Sequence, residues 1–202
     1  MSGVVVVPTG TANIASVRAA FNRLGASLAN AVDPEIVSRA DGVVVPGVGA
    51  FGAAMAHLDS LGLRQALRER IGDGRPTLAV CVGMQLLCRD SEESPGVDGL
   101  QVIDLTVTRF DGEQKVPQLG WNQVEPAPGS RLVGPGWAYF ANSYRLDRVP
   151  EGWVGSETDY GSRFVSALER GDVLACQFHP ELSGPWGAGL LGRWLETAKV
   201  AP

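Results

Sequence analysis

Thr77-Leu78-Ala79-Val80-Cys81-Val82-Gly83-Met84-Gln85-Leu86-Leu87-Cys88 is the stretch on which the reading of this sequence turns. Its first four residues form a short apolar run of the kind that fills a buried strand, and from Gly83 to Cys88 the pattern becomes helical. Cys81 sits at the junction. Ala79-Val80-Cys81-Val82-Gly83 places a nucleophile between small residues at the spacing of a nucleophile elbow, a tight strand-to-helix turn that lifts one side chain above the carboxyl end of a sheet. The helix start that follows supplies partial positive charge and free N–H groups, which favour a thiolate and hold an oxyanion. A buried core cysteine is the competing reading. For Cys88, inside the apolar helix, and Cys176, on the apolar face of a later strand, that plainer reading is preferred.

Working outward, the residues before the junction alternate β-branched runs with helical patterns, the rhythm of parallel strands joined by crossover helices. Val4 to Val7 is a first strand, Asn13 caps a helix that Gly25 stops, and Asp41 to Val45 is a second strand running into the turn Pro46-Gly47-Val48-Gly49. Helices follow over Ala50 to Leu61 and Leu63 to Ile71. After residue 100 the character changes to alternating segments near Leu100 to Phe110, Gln114 to Val124, Trp137 to Tyr144, Phe164 to Leu168 and Val173 to Phe178, read as antiparallel or mixed strands. Gly187 to Val200 supplies a last helix with Leu190, Leu191 and Trp194 on its apolar face. The expectation is an α/β fold with a mostly parallel central sheet, in one domain over residues 1–202.

Composition bounds the function. With 202 residues, 45% hydrophobic and 19% charged, the chain builds a core without help from metal or disulfides. A net charge of −5 and the absence of lysine or arginine runs argue against a nucleic-acid partner. No apolar segment approaches the roughly 20 residues that span a bilayer, and the start lacks the basic and apolar regions of a signal peptide. Three cysteines with no C-x-x-C spacing fit a reducing compartment, so a soluble cytoplasmic protein without cofactor or metal is expected.

Only two histidines are available. His57 lies in a helical stretch of small and apolar residues and reads as a partly exposed helix residue. His179 precedes Pro180, which holds it extended, and an extended chain turns His179 and Glu181 to one side. A carboxylate there sets the imidazole's tautomer and raises its basicity, whereas the plainer reading is a surface ion pair at a strand end. The turn at Val48-Gly49 falls at the same carboxyl edge of the sheet as Cys81 and can aim backbone N–H groups at an oxyanion. Together they make a set of nucleophile, base, orienting carboxylate and oxyanion donors.

At these residues the sequence resembles the class I glutamine amidotransferases. Val80-Cys81-Val82-Gly83-Met84-Gln85 is similar to the family's nucleophile segment and Gln177-Phe178-His179-Pro180-Glu181 to its histidine–glutamate segment. Further blocks at Pro46 to Gly52, Ser91 to Val97, Val116 to Asn122 and Tyr139 to Tyr144 resemble the members that feed ammonia to a separate cyclase subunit, a (β/α)-barrel of histidine biosynthesis. The resemblance implies a three-layer, flavodoxin-like fold and hydrolysis of L-glutamine through a cysteinyl thioester. It implies Cys81 as nucleophile, His179 as acid and base, Glu181 as its orienting partner, and Val82, Val48 and Gly49 around the oxyanion. By the same similarity Gln85, Ser143 and Tyr144 hold glutamine, and Asn13, Trp121 and Tyr139 face the cyclase, unless these six are ordinary core or cap residues.

The sequence departs from the family in three places. Pro8-Thr9-Gly10-Thr11-Ala12-Asn13 replaces the usual D-Y-G-x-G-N loop, and Ala79 replaces the elbow's first glycine. The third is Leu182, which stands where the family's H-P-E-K segment has the lysine implied to pair with the cyclase. A non-catalytic cyclase-binding subunit, the glutaminase of another amidotransferase and a free-standing thiol hydrolase are the alternatives.

Overall fold

A computed structural model describes residues 3–10 and 13–200, with the side chains of residues 199 and 200 outside the description. Part of the altered first loop, Thr11 and Ala12, lies outside the described residues, as do both ends of the expected domain. The chain runs β1 (Val4–Val6), α1 (Ile14–Arg23), β2 (Ala29–Asn30), α2 (Pro34–Arg39), β3 (Gly42–Gly47), α3 (Phe51–Ser60), α4 (Arg64–Gly72), β4 (Thr77–Cys81), α5 (Val82–Gln85) and β5 (Cys88–Ser91). It continues through β6 (Ile103–Arg109), β7 (Gln118–Pro126), β8 (Gly136–Asn142), β9 (Tyr144–Arg145), β10 (Val154–Asp159), β11 (Arg163–Arg170) and β12 (Val173–Cys176). A 3-10 turn (Pro180–Leu182) and α6 (Gly184–Val200) complete it.

One nine-stranded sheet runs β2-β1-β3-β4-β12-β11-β10-β7-β8. From β2 to β12 the neighbours are parallel, and from β12 to β8 they are antiparallel. The change of sheet type near residue 100 is thus real, but β12 returns from the second half to pair with β4 in the parallel half. The chain steps one way from β1 to β2 and the other way from β2 to β3 and β4, and right-handed crossovers then put α1 on the face opposite α2, α3 and α4. Phe21 of α1 meets Trp194 of α6 edge to face, 5.9 Å between ring centres, while α2 packs on α4 and α3 touches α5. Leu190, Leu191 and Trp194 are buried as their spacing predicts.

The segment expected to be helical from Gly83 to Cys88 is helical for one turn only. Its continuation is claimed by strand-like pairing. Leu100 N–H donates to Leu86 O, Ile103 N–H to Leu87 O and Gln101 N–H to Cys88 O, and Cys88 opens β5 of a second sheet, β5-β6-β9. An apolar run this short does not distinguish helix from strand, and tertiary pairing decides it. Cys88 remains fully buried, on a strand and not a helix.

The parallel half brings two strand ends together. β3 pairs with β4 so that Gly47 lies beside Cys81. A Cβ at Gly83 would stand 2.0 Å from the Val45 carbonyl oxygen, and one at Gly47 would stand 2.9 Å from both the Gly83 nitrogen and the Val82 Cβ. Only backbone fits between the end of β3 and the elbow. Arg70, fully buried, clamps the opposite ends of these strands by donating to the carbonyls of Val37, Ala40, Asp41 and Pro76 and to the Thr77 hydroxyl. Gly83→Ala should therefore cost about 1–3 kcal/mol or more, because the obstacle is backbone and cannot rotate away. Urea unfolding measures it, and an unchanged midpoint would contradict the contact.

Candidate functional site

The elbow forms as the sequence reading expects. Cys81 ends β4 with φ 54° and ψ −113°, a left-handed conformation that an L side chain adopts only under constraint. The strain turns Sγ out of the sheet plane into a cavity of about 180 Å³, lined by Val48, Gly49, Cys81, Val82, Gln85, Ser143, Tyr144 and His179. All expected oxyanion and substrate residues thus share one small space with the sulfur. Because α5 is a single turn, little helix dipole stands behind Cys81, and the free N–H groups of the turn are what remains of the helix-start reading.

On the β3 side the chain turns through Val48 and Gly49 into α3. Gly49 has φ +93°, which glycine tolerates. Ala50 offers no side chain to cap α3, and the cap comes from far along the chain. The Phe51 N–H donates to Glu93 Oε2 at 2.6 Å and the Gly52 N–H to Ser94 Oγ at 3.0 Å. Glu93 also lines the cavity. Its place in the sequence, within the Ser91 to Val97 block, carries no local signal of that position.

His179 is held from β8. Its N–H donates to the Tyr139 carbonyl at 2.9 Å, and the Ser183 hydroxyl donates to the His179 carbonyl while accepting the Tyr139 N–H. Its Nδ1 lies 2.9 Å from Glu181 Oε1, with both side chains 6% exposed. The extended backbone expected before Pro180 is present, at φ −100° and ψ 95°. Burial pulls the imidazole's pKa down, but hydrogen bonding to Cys81 and Glu181, with their negative charge, outweighs burial and raises it to about 10. The ring therefore holds a proton at neutral pH between sulfur and carboxylate. Gln177, also unassigned by sequence, places Nε2 3.7 Å from Cys81 Sγ and accepts Gln85 Nε2 at 2.9 Å. Burial pushes the thiols of Cys88 and Cys176 up.

The residues expected on the partner side lie across His179 from this cavity. Asn13 and Tyr139 line a neighbouring hollow of about 160 Å³ with His179, Glu181 and Leu182. Asn13 also caps α1 by accepting the Ser16 N–H. Trp121 stands edge to face with Tyr139, 6.3 Å between ring centres. His57 is a half-buried helix residue that packs beside Gly10 and lines neither cavity. Among the described residues no group of three or more His, Cys, Asp or Glu side chains is placed to hold a metal ion, and no helix is long and apolar enough to cross a membrane.

The model of the family described as glutamine amidotransferase class-I matches residues 13–195. The chain belongs to the class I glutamine amidotransferases. It is 41% identical, over 96% of its length and 93% of the relative's, to imidazole glycerol phosphate synthase subunit HisH of Symbiobacterium thermophilum. It is 40% identical, over 98% of its length and 100% of the relative's, to the subunit of the same name from Methanothermobacter thermautotrophicus. A crystal structure of a glutamine amidotransferase covers 98% of this chain and 100% of its own with a TM-score of 0.78 at 23% identity, which places the three-layer α/β fold in the same class.

Three measurements test the geometry of this candidate site. Cys81→Gly should unfold at higher urea than Cys81→Ala by about 1 kcal/mol, since glycine relieves backbone strain of about 1–3 kcal/mol at the elbow. The reverse order would show that the turn is unstrained. Iodoacetamide should modify Cys81 in the folded chain and reach Cys88 and Cys176 only after unfolding, as read by mass spectrometry. For pH, the folded pKa of His179 lies above its unfolded value of 6.5, so its contribution to stability is complete below pH 6.5 and fades as pH rises through about 10. The stability gap between the wild type and His179→Gln should accordingly narrow from pH 6.5 to 10, and a gap that widens would reverse the sign.

Proposed function

We propose that this chain is the glutaminase subunit of imidazole glycerol phosphate synthase, a single amidotransferase domain of the cytoplasm that hydrolyses L-glutamine and passes ammonia to a cyclase subunit. What carries the reading is the convergence of Cys81, His179 and two backbone turns on one cavity the size of a small amino acid, with Glu181 held behind His179 at its Nδ1. The HisH relatives supply the identity of the synthase.

In the proposed reaction Cys81 Sγ attacks the carboxamide carbon of glutamine. The developing oxyanion is met by N–H groups of Val82 and the Val48-Gly49 turn, and the protonated His179 gives its proton to the leaving ammonia. The resulting thioester is opened by water, whose proton passes to His179, and the released thiolate is again paired with imidazolium. Glu181 keeps the ring oriented through Nδ1 and does not itself transfer the proton. Gln85, Ser143 and Tyr144 hold the substrate backbone, and Glu93, an anionic group at the cavity wall, accepts its ammonium.

The partner side is apolar. Leu119 is 68% exposed, Trp121 54% and Leu182 45%; Leu182 lines the hollow beside His179, and Trp121 stacks edge to face on Tyr139 at its wall. Exposed apolar residues grouped beside a catalytic group mark a docking surface. The cyclase binds there, with Asn13, Trp121 and Tyr139 facing it, and Leu182 contributes burial where relatives of the family pattern carry a charge.

Glutamate release by the purified chain, alone and with a cyclase and its nucleotide substrate, tests this. Activity should be low alone and strongly stimulated by both, and Cys81→Ala should abolish it, a loss of at least about 1,000-fold, while still forming the complex. Full activity without the cyclase would identify a free thiol hydrolase, and silence in its presence a binding subunit.

A further inference from the structure

Gln118 and Asn142 face each other at the open end of the β7–β8 hairpin. Directly opposed residues of an antiparallel pair share a face, with Cβ atoms about 4.5–5.5 Å apart, within reach of two carboxamides. Both side chains are buried, 3% and 4% exposed. Neither Nε2 nor Oε1 of Gln118, nor Oδ1 of Asn142, has a hydrogen-bond partner among the described residues. A side chain kept only to fill this space would be apolar, because a buried amide without a partner is destabilising where leucine or methionine is not.

The pair stands at one end of a line of amides that finishes on the nucleophile. Asn142 Nδ2 donates to the Tyr144 carbonyl at 3.0 Å, and Gln85 Nε2 reaches the same carbonyl at 3.3 Å. Gln85 then donates to Gln177 Oε1, and Gln177 Nε2 approaches Cys81 Sγ. Asn142, Tyr144, Gln85 and Cys81 all line the cavity, and Gln118 does not. The next residue of β7, Leu119, lies on the exposed apolar face.

We infer that Gln118 is a positioning residue for glutamine: its carboxamide closes on Asn142 Oδ1 and fixes the side chain that holds the Tyr144 carbonyl at the wall of the substrate cavity. Gln118 touches no reacting atom and acts through Asn142. The inference rests on the glutaminase reading of the site and adds to it a specificity-determining contact one layer behind the cavity wall.

The test is steady-state glutaminase kinetics of the complex with the cyclase, for the wild type, Gln118→Met, Asn142→Leu and the double variant, with Gln118→His as the variant that keeps a side-chain donor. Gln118→Met should raise KM for glutamine about tenfold with kcat changed less than threefold, and its unfolding temperature should equal or exceed that of the wild type. Gln118→His should recover most of the KM, and the double variant should be no worse than Asn142→Leu alone, since both act on one contact. Ammonia-fed cyclase turnover should be unchanged throughout, because the buried pair is remote from the acceptor's chemistry. An unaltered KM in Gln118→Met overturns the inference, as does a loss of activity that tracks a lower unfolding temperature or effects that add in the double variant. Absence of glutamine turnover by the wild-type complex instead overturns the functional reading, and this inference with it.

Discussion

Two strand ends approach so closely at Val45, Gly47 and Gly83 that no side chain fits between them, and the rest of the site is built on that contact. Pairing of β3 with β4 sets Gly47 beside Cys81. The chain then leaves β4 through a one-residue reversal at Cys81, whose strained φ is sustained because both flanks are packed backbone against backbone. The same approach puts the Val48-Gly49 turn over the cysteine. Nucleophile and turn are therefore positioned by a single constraint, and a methyl group at Gly83 would separate them.

The second half of the fold supplies the proton-handling side. β12 brings the chain back beside β4, so that Gln177 and His179 emerge at the carboxyl edge where Cys81 waits. The histidine is fastened to β8 through Tyr139 and Ser183, while β7 and β8 carry the exposed aromatic and aliphatic side chains on the outer face. The exposed apolar face and the imidazole are thus tied to one strand, β8. Any shift of β8 is transmitted to the ring through main-chain hydrogen bonds, which are short and directional, rather than through long flexible side chains. Electrostatically the site is self-contained: the imidazolium is stabilised on both sides by negative charge, and the burial that opposes its proton is more than offset.

Cys81, His179 and Glu181 were legible because their neighbours restrict the backbone locally. Small residues on either side of Cys81 announce a turn, and Pro180 announces an extended His179. The Gln85, Ser143 and Tyr144 positions came through family resemblance, since nothing in their local pattern distinguishes substrate contacts from core polar residues. Glu93 and Gln177 were not assigned. Each acts across a long sequence separation, on the Phe51 N–H and the Cys81 sulfur respectively, and no local period encodes such a contact.

By itself the sequence determined the alternating α/β rhythm, the parallel first half, the change of character near residue 100 and the candidate trio Cys81, His179 and Glu181, all written in short-range steric and periodic signals. Tertiary structure decided what short-range signals leave degenerate. It ended α5 after one turn because the backbone of residues 99–103 competes for Leu86, Leu87 and Cys88, and it added β10 and α2, which sequence reasoning passed over. It joined the two halves into one sheet through β12, and it faced Gln118 with Asn142 in the interior. The reason is common to all of these: register and pairing depend on which distant backbone is nearest, and that is fixed only when the chain is folded.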